Sequence, residues 1–113
     1  MKKIILLMAL SLAAVAPAMA KNPNAVNMRV NAVCSSMAQS FSYQANGDAV
    51  FEQCVIGART AYQGNDKKCQ KNLATFNRQA ETMRGAVRAE YVAFKEAYRA
   101  GCNVGKSSRE AGY

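Results

Sequence analysis

Apolar residues recur at three- and four-residue steps along three stretches of this chain, the spacing that places side chains on one helix face. No stretch alternates as a half-buried strand would, so the pattern predicts an all-α fold. The first stripe is Val26, Val30, Val33, Cys34, Met37, Ala38 and Phe41, which predicts a helix from Pro23 to Gln44. Asn22 is placed to cap it, Pro23 suits the first helical position, and Asn46-Gly47 stops it. The second stripe, Val50, Phe51, Cys54, Val55, Ala58, Ala61 and Tyr62, predicts a helix capped by Asp48 and closed by Gly64-Asn65. Ile56 lies off that stripe.

The third stripe is the longest. With Asp66 as its cap, it passes through Cys69, Leu73, Phe76, Ala80, Met83, Val87, Tyr91, Phe94 and Tyr98. At helical spacing these positions fall within roughly 80° of arc. A straight helix over residues 66–100 would be about 52 Å long, against about 33 and 24 Å for the first two. Its far half, from Val87 to Tyr98, would then stand in water. Cys102 would also lie more than about 30 Å from Cys34, Cys54 and Cys69, whereas a disulfide needs Cα atoms within about 7 Å.

A break at Gly85 removes both difficulties, because that residue lies midway between Cys69 and Cys102. Glycine weakens a helix interior by up to about 1 kcal/mol. Against the break, Met83-Arg84-Gly85-Ala86-Val87 contains neither Pro nor Asn. The alternative keeps the helix straight and buries residues 83–102 in a homodimer. The fold-back is preferred, since four cysteines in an oxidising compartment usually pair internally. It implies Cys34–Cys54 with Cys69–Cys102; the nested set, Cys34–Cys102 with Cys54–Cys69, is the second choice. Gly101 and Gly105 fall at punctuation points beyond the last stripe. The expected fold is thus a small helical bundle of three to four helices stapled by two disulfides, with residues 102–113 as a flexible tail.

The oxidising compartment is itself an expectation from the first twenty residues. Lys2 and Lys3 precede an apolar run from Ile4 to Val15, and Ala18-Met19-Ala20 follows. These are the three parts of a cleaved secretory signal, and the run is too short to span a bilayer. Residue 21 is Lys rather than Cys, so the new end carries no lipid anchor. The expected location is a bacterial periplasm, with residues 21–113 forming one small domain. Losing Lys2 and Lys3 lowers the net charge from +8 to +6, a surplus that favours anionic partners.

Much chemistry is ruled out. The chain has no histidine, which removes the usual general base, the commonest metal ligand and any imidazole-based triad. Gaps of 20, 15 and 33 residues between the cysteines lack the close pairs of zinc sites. Gly105-Lys106-Ser107 lacks the earlier glycine of a phosphate-binding loop, Ala100 standing in its place. The acids read as caps and solvated faces: Asp48 and Asp66 at helix starts, Glu81 and Glu96 three residues before Arg84 and Arg99. Neither an enzyme nor a bound cofactor or metal is expected.

The basic residues are more suggestive. Arg84, Arg88, Lys95 and Arg99 line one flank of the last stripe, and Lys67, Lys68 and Lys71 cluster at its other end. Tyr91, Phe94 and Tyr98 border the first flank, with Phe94 assigned to the core. Aromatic and arginine side chains together are typical of interaction hot spots. The candidate partner-binding set is therefore Arg84, Arg88, Tyr91, Lys95, Tyr98 and Arg99. Arg88-Ala89-Glu90-Tyr91, Phe94, Tyr98-Arg99 and Cys102 resemble the last helix of the LprI-like lysozyme inhibitors, small exported helical proteins with disulfides. The chain lacks that family's tryptophan and the acid that follows its arginine. The functional expectation is a non-enzymatic periplasmic interaction protein: an inhibitor, exclusion factor or accessory subunit. The alternative is a basic binder of anionic envelope polymer such as lipopolysaccharide or cell wall. Neither nucleic acid as a partner nor a membrane-spanning segment is expected.

Overall fold

Helix α1 (Pro23–Ser40) begins with the Asn22 side chain accepting the Ala25 amide at 3.1 Å. It is the first element of the computed structural model, which describes residues 21–113; the expected signal segment lies outside the described residues. Helix α1 stops four residues before the expected end, in a turn over residues 41–45. Helix α2 (Gly47–Tyr62) is capped by Asn46, whose carboxamide oxygen takes the amides of Asp48 and Ala49 at 2.9 and 3.2 Å. Asp48, expected as the cap, instead occupies the first turn, where its carboxylate meets the positive helix end. Helices α3 (Asp66–Thr82) and α4 (Gly85–Glu110) follow. Asp66 is likewise inside α3 rather than capping it.

The long third stripe breaks at Gly85, the position that the preferred cysteine pairing implies. Met83 and Arg84 are extended, with ψ of 163° and 156°, and Gly85 is left-handed with φ +61°. Helices α3 and α4 therefore form an antiparallel hairpin. Cys69–Cys102 ties its two arms, and Cys34–Cys54 ties α1 to α2, with Cα separations of 6.4 and 5.4 Å. Local helix propensity opposes the break by a fraction of a kcal/mol per residue. Folding back buries Ala93, Ala97, Tyr98 and Cys102. One large buried side chain contributes about 1.5–3 kcal/mol, so tertiary burial outweighs propensity. Nothing lies within 4 Å of a β-carbon added at Gly85, yet its positive φ penalises any L side chain. Gly85→Ala is therefore expected to cost about 1–2 kcal/mol in denaturant unfolding. An unchanged midpoint would contradict the left-handed turn.

The two central helices are α2 and α4, which pack along much of their lengths. Helix α1 covers one side of this pair and α3 the other, and α1 and α3 do not touch. The main core joins Val26, Val30 and Cys34 of α1 to Val50, Phe51 and Val55 of α2 and Ala93 and Ala97 of α4. A second cluster of Ala61, Cys69, Tyr98 and Cys102 holds α3 through Leu73 and Phe76. Ile56, off its own stripe, packs here as well.

Helix α4 also corrects the expected tail. Residues 102–110 are helical, and Val104, Gly105 and Ser108 are buried. Gly101 and Gly105 read as stops in the sequence, but they are the contact surface for α2. A β-carbon at Gly101 would collide with the Cys54 carbonyl, and one at Gly105 with the Ala58 carbonyl. The end is then pinned to α1 and α2. Arg29 donates to the Ser108 and Ser107 hydroxyls, both at 3.0 Å, and the Tyr62 hydroxyl donates to the Tyr113 carbonyl at 2.7 Å. Burial pushes the Tyr62 hydroxyl above its ordinary pKa, so this donor stays protonated.

Candidate functional site

All six candidate partner-binding residues lie on α4 or in the turn before it, but the fold divides them. Arg84 and Arg88 are exposed at the hairpin tip. Between them Val87 is 49% exposed, although it continues the apolar stripe. Tyr91, one turn further on, is half-buried with its ring tilted at 6.2 Å from Phe94. These four residues make an apolar strip edged by two guanidinium groups.

Lys95 and Arg99 stand on either side of Glu96, at 3.6 and 3.1 Å. Their charge is answered locally, and an exposed pair of this kind contributes at most about 1 kcal/mol. Tyr98 is not on the surface at all. It is 2% exposed, its ring lies 5.7 Å from Phe76, and its hydroxyl accepts from the Asn72 carboxamide at 2.8 Å. The fold-back that shelters the stripe places Tyr98 beneath α3, so it is a core residue rather than a rim contact. Phe94 packs on the main core as expected. The expected Glu81–Arg84 pair does not form among the described residues, because the helix ends between them.

A groove of about 190 Å³ lies between α2 and α3, with Tyr98 of α4 also lining it. Its walls are Gln53, Ile56, Asn72, Thr75, Phe76 and Gln79. No charged side chain lines it. Three carboxamides and two hydroxyls around aromatic carbon suit a small neutral group, such as one side chain of a partner. The volume is below the ~300 Å³ at which small-molecule sites begin. Sequence reading missed this groove because Gln and Asn on a helix look like a solvated face. Only the burial of Tyr98 brings them together.

A smaller depression of about 140 Å³ opens beside the Cys69–Cys102 disulfide, bordered by Asp66, Gln70, Asn103 and Lys106. Cys69 and Cys102 are 5% and 7% exposed, whereas Cys34 and Cys54 are fully buried. Among the described residues no group of three or more His, Cys, Asp or Glu is placed to hold a metal ion. No described helix is long and apolar enough to cross a membrane. Two intramolecular disulfides fit an oxidising, extracytoplasmic compartment. Compared with known proteins, the chain matches no family model, no curated protein and no solved structure.

Proposed function

We propose that this chain is an exported, non-enzymatic interaction protein of the bacterial periplasm, docking on an envelope protein through the tip of its α3–α4 hairpin. An inhibitor, an exclusion factor and an accessory subunit all fit this reading. One observation carries it: the half-exposed Val87, with Tyr91 four residues on, is flanked by the exposed guanidinium groups of Arg84 and Arg88. Apolar surface of this kind is stabilised by covering it, and arginine beside tyrosine is the composition of interface anchors. The Cys69–Cys102 bridge ties the two arms together at their base, which lowers the ordering entropy that opposes docking.

The test uses the oxidised protein immobilised against envelope extract, with Tyr91→Ala and Arg88→Glu as comparisons. A single saturable protein partner that resists high salt is expected, weakened about thirtyfold or more by either substitution, as for a hot spot of about 2 kcal/mol. Retention unaffected by both substitutions would overturn the reading. The alternative places anionic polymer along Arg84, Arg88, Lys95 and Arg99. Glu96 between Lys95 and Arg99 speaks against that flank as the main anion site.

A further inference from the structure

The charge of this protein is concentrated at one end. Four segments meet there: the start of α1, the end of α2, the start of α3 and the end of α4. The Lys21 amide donates to the Tyr113 carbonyl at 2.8 Å, Arg109 donates to the Ala61 carbonyl at 2.9 Å, and Arg109 pairs with Asp66 at 3.3 Å. Residues 21–29, 59–71 and 102–113 hold eight basic side chains against two acidic. The remaining segments, 30–58 and 72–101, hold five of each. The whole surplus of the described residues therefore sits at this end, opposite the hairpin tip.

Part of that charge is engaged. Arg109 is bound as above, and Arg29 reaches the Ser107 and Ser108 hydroxyls with its guanidinium 5.3 Å from the Tyr113 ring centre. Five lysines are not: Lys21, Lys67, Lys68, Lys71 and Lys106 are exposed and in no ion pair among the described residues. Lys67 and Lys71 stand four residues apart, as Lys68 and Lys71 stand three apart. Such like-charged helix neighbours repel by a few tenths of a kcal/mol unless an anion lies between them.

We propose that this end docks on an anionic, phosphate-bearing lipid surface. The lysines come from three separate segments, and Lys21 and Lys106 border different depressions rather than one shared pocket, so they suit many phosphates spread over a plane rather than one held phosphate. Lysine, a compact charge on a long flexible stem, suits that delocalised attraction. Tyr113, 37% exposed at the same end, adds an amphipathic ring of the kind enriched at membrane interfaces. With no described helix able to span, the contact is peripheral. It leaves the hairpin tip pointing away from the surface, and it does not depend on what that tip binds.

The experiment is cosedimentation with vesicles of phosphatidylcholine, with or without phosphatidylglycerol, at low and high salt. The wild-type chain is expected to bind only the anionic vesicles and to be released by salt. Lys67→Gln/Lys71→Gln/Lys106→Gln is expected to weaken binding about a hundredfold, since each lysine near such a surface contributes about fivefold. These three side chains are exposed, so circular dichroism should show the fold intact. Arg84→Gln/Arg88→Gln, at the far end, is expected to change binding by less than about threefold. No vesicle binding, binding that the triple variant retains, or an equal loss in the hairpin variant would each overturn the proposal. Capture of soluble polyphosphate without capture of vesicles would overturn the lipid as its source.

Discussion

Gly101→Ala is expected to destabilise the protein by about 3 kcal/mol or more, which in a domain of this size lowers Tm by about 12 °C or more. The added β-carbon would collide with the Cys54 carbonyl, and its carbonyl carbon and the Ala58 nitrogen also lie closer than ordinary contact allows. All three are backbone atoms of α2, so no rotamer change can make room. Helix α2 cannot simply withdraw, because Cys54 is tied to Cys34 and its neighbours Val50, Phe51 and Val55 fill the main core. Overpacking of this kind usually costs about 1–3 kcal/mol where side chains can adjust. Here only a separation of α2 from α4 relieves it. Gly47→Ala is the internal control: its β-carbon would meet nothing closer than 4.0 Å, and it is expected to be neutral or slightly stabilising. Thermal unfolding followed by circular dichroism reads both. A Gly101→Ala chain that melts like the wild type would contradict the close α2–α4 crossing.

Removing the Cys69–Cys102 bridge, as Cys69→Ser/Cys102→Ser, is expected to have the other large effect. The bridge closes a loop spanning 33 residues, which in the chain-entropy account is worth about 3.7 kcal/mol. The loss should not be uniform. Helix α3 has only Cys69 and Ala80 buried, and it makes no contact with α1. Without the bridge, Leu73, Phe76, the Asn72–Tyr98 hydrogen bond and the Arg109–Asp66 pair at the open end are left to hold it on α4. Hydrogen exchange should therefore show α3 amides losing protection first, while α1, α2 and the C-terminal half of α4 keep theirs. Protection that falls equally in all four helices would contradict this reading. In the wild-type chain a mild reductant should open Cys69–Cys102 before Cys34–Cys54, because Cys69 and Cys102 border an open depression and are slightly exposed, whereas Cys34 and Cys54 are fully buried.

The parts of this fold that could be read from sequence are those set by spacing alone. The stripe through Cys69, Leu73, Phe76 and Ala80 defines a helix face whatever packs on it. Pairing of Cys69 with Cys102, the preferred set, implies a hairpin turning near Gly85, even though the local residues favour helix. Gly101 and Gly105 misled for the opposite reason. A glycine at a stop and a glycine at a helix crossing look alike until the crossing helix is known. Their misreading turned nine helical residues, 102–110, into an expected tail.

The candidate site divides along the same line. Arg84, Arg88 and Tyr91 keep the accessibility that the pattern suggests, because they sit at or near the hairpin tip where little crosses them. Tyr98 loses it, because α3 folds over that residue. The groove amides Gln53, Asn72 and Gln79 gain a common location that no periodicity links. The charge surplus was visible as Lys67, Lys68 and Lys71, but its extent was not. Lys21, Lys106 and Arg109 join those lysines only when the start of α1 and the end of α4 meet beside the start of α3.

Both proposed surfaces depend on one structural claim: the third stripe folds back at Gly85 and is locked there by a bridge within the molecule. Peptide mapping of the protein by mass spectrometry, under non-reducing conditions, tests that claim directly. The predicted result is two intramolecular links, Cys34–Cys54 and Cys69–Cys102, in a chain beginning at Lys21. A Cys102–Cys102 link between two chains, or free thiols at positions 69 and 102, would contradict it.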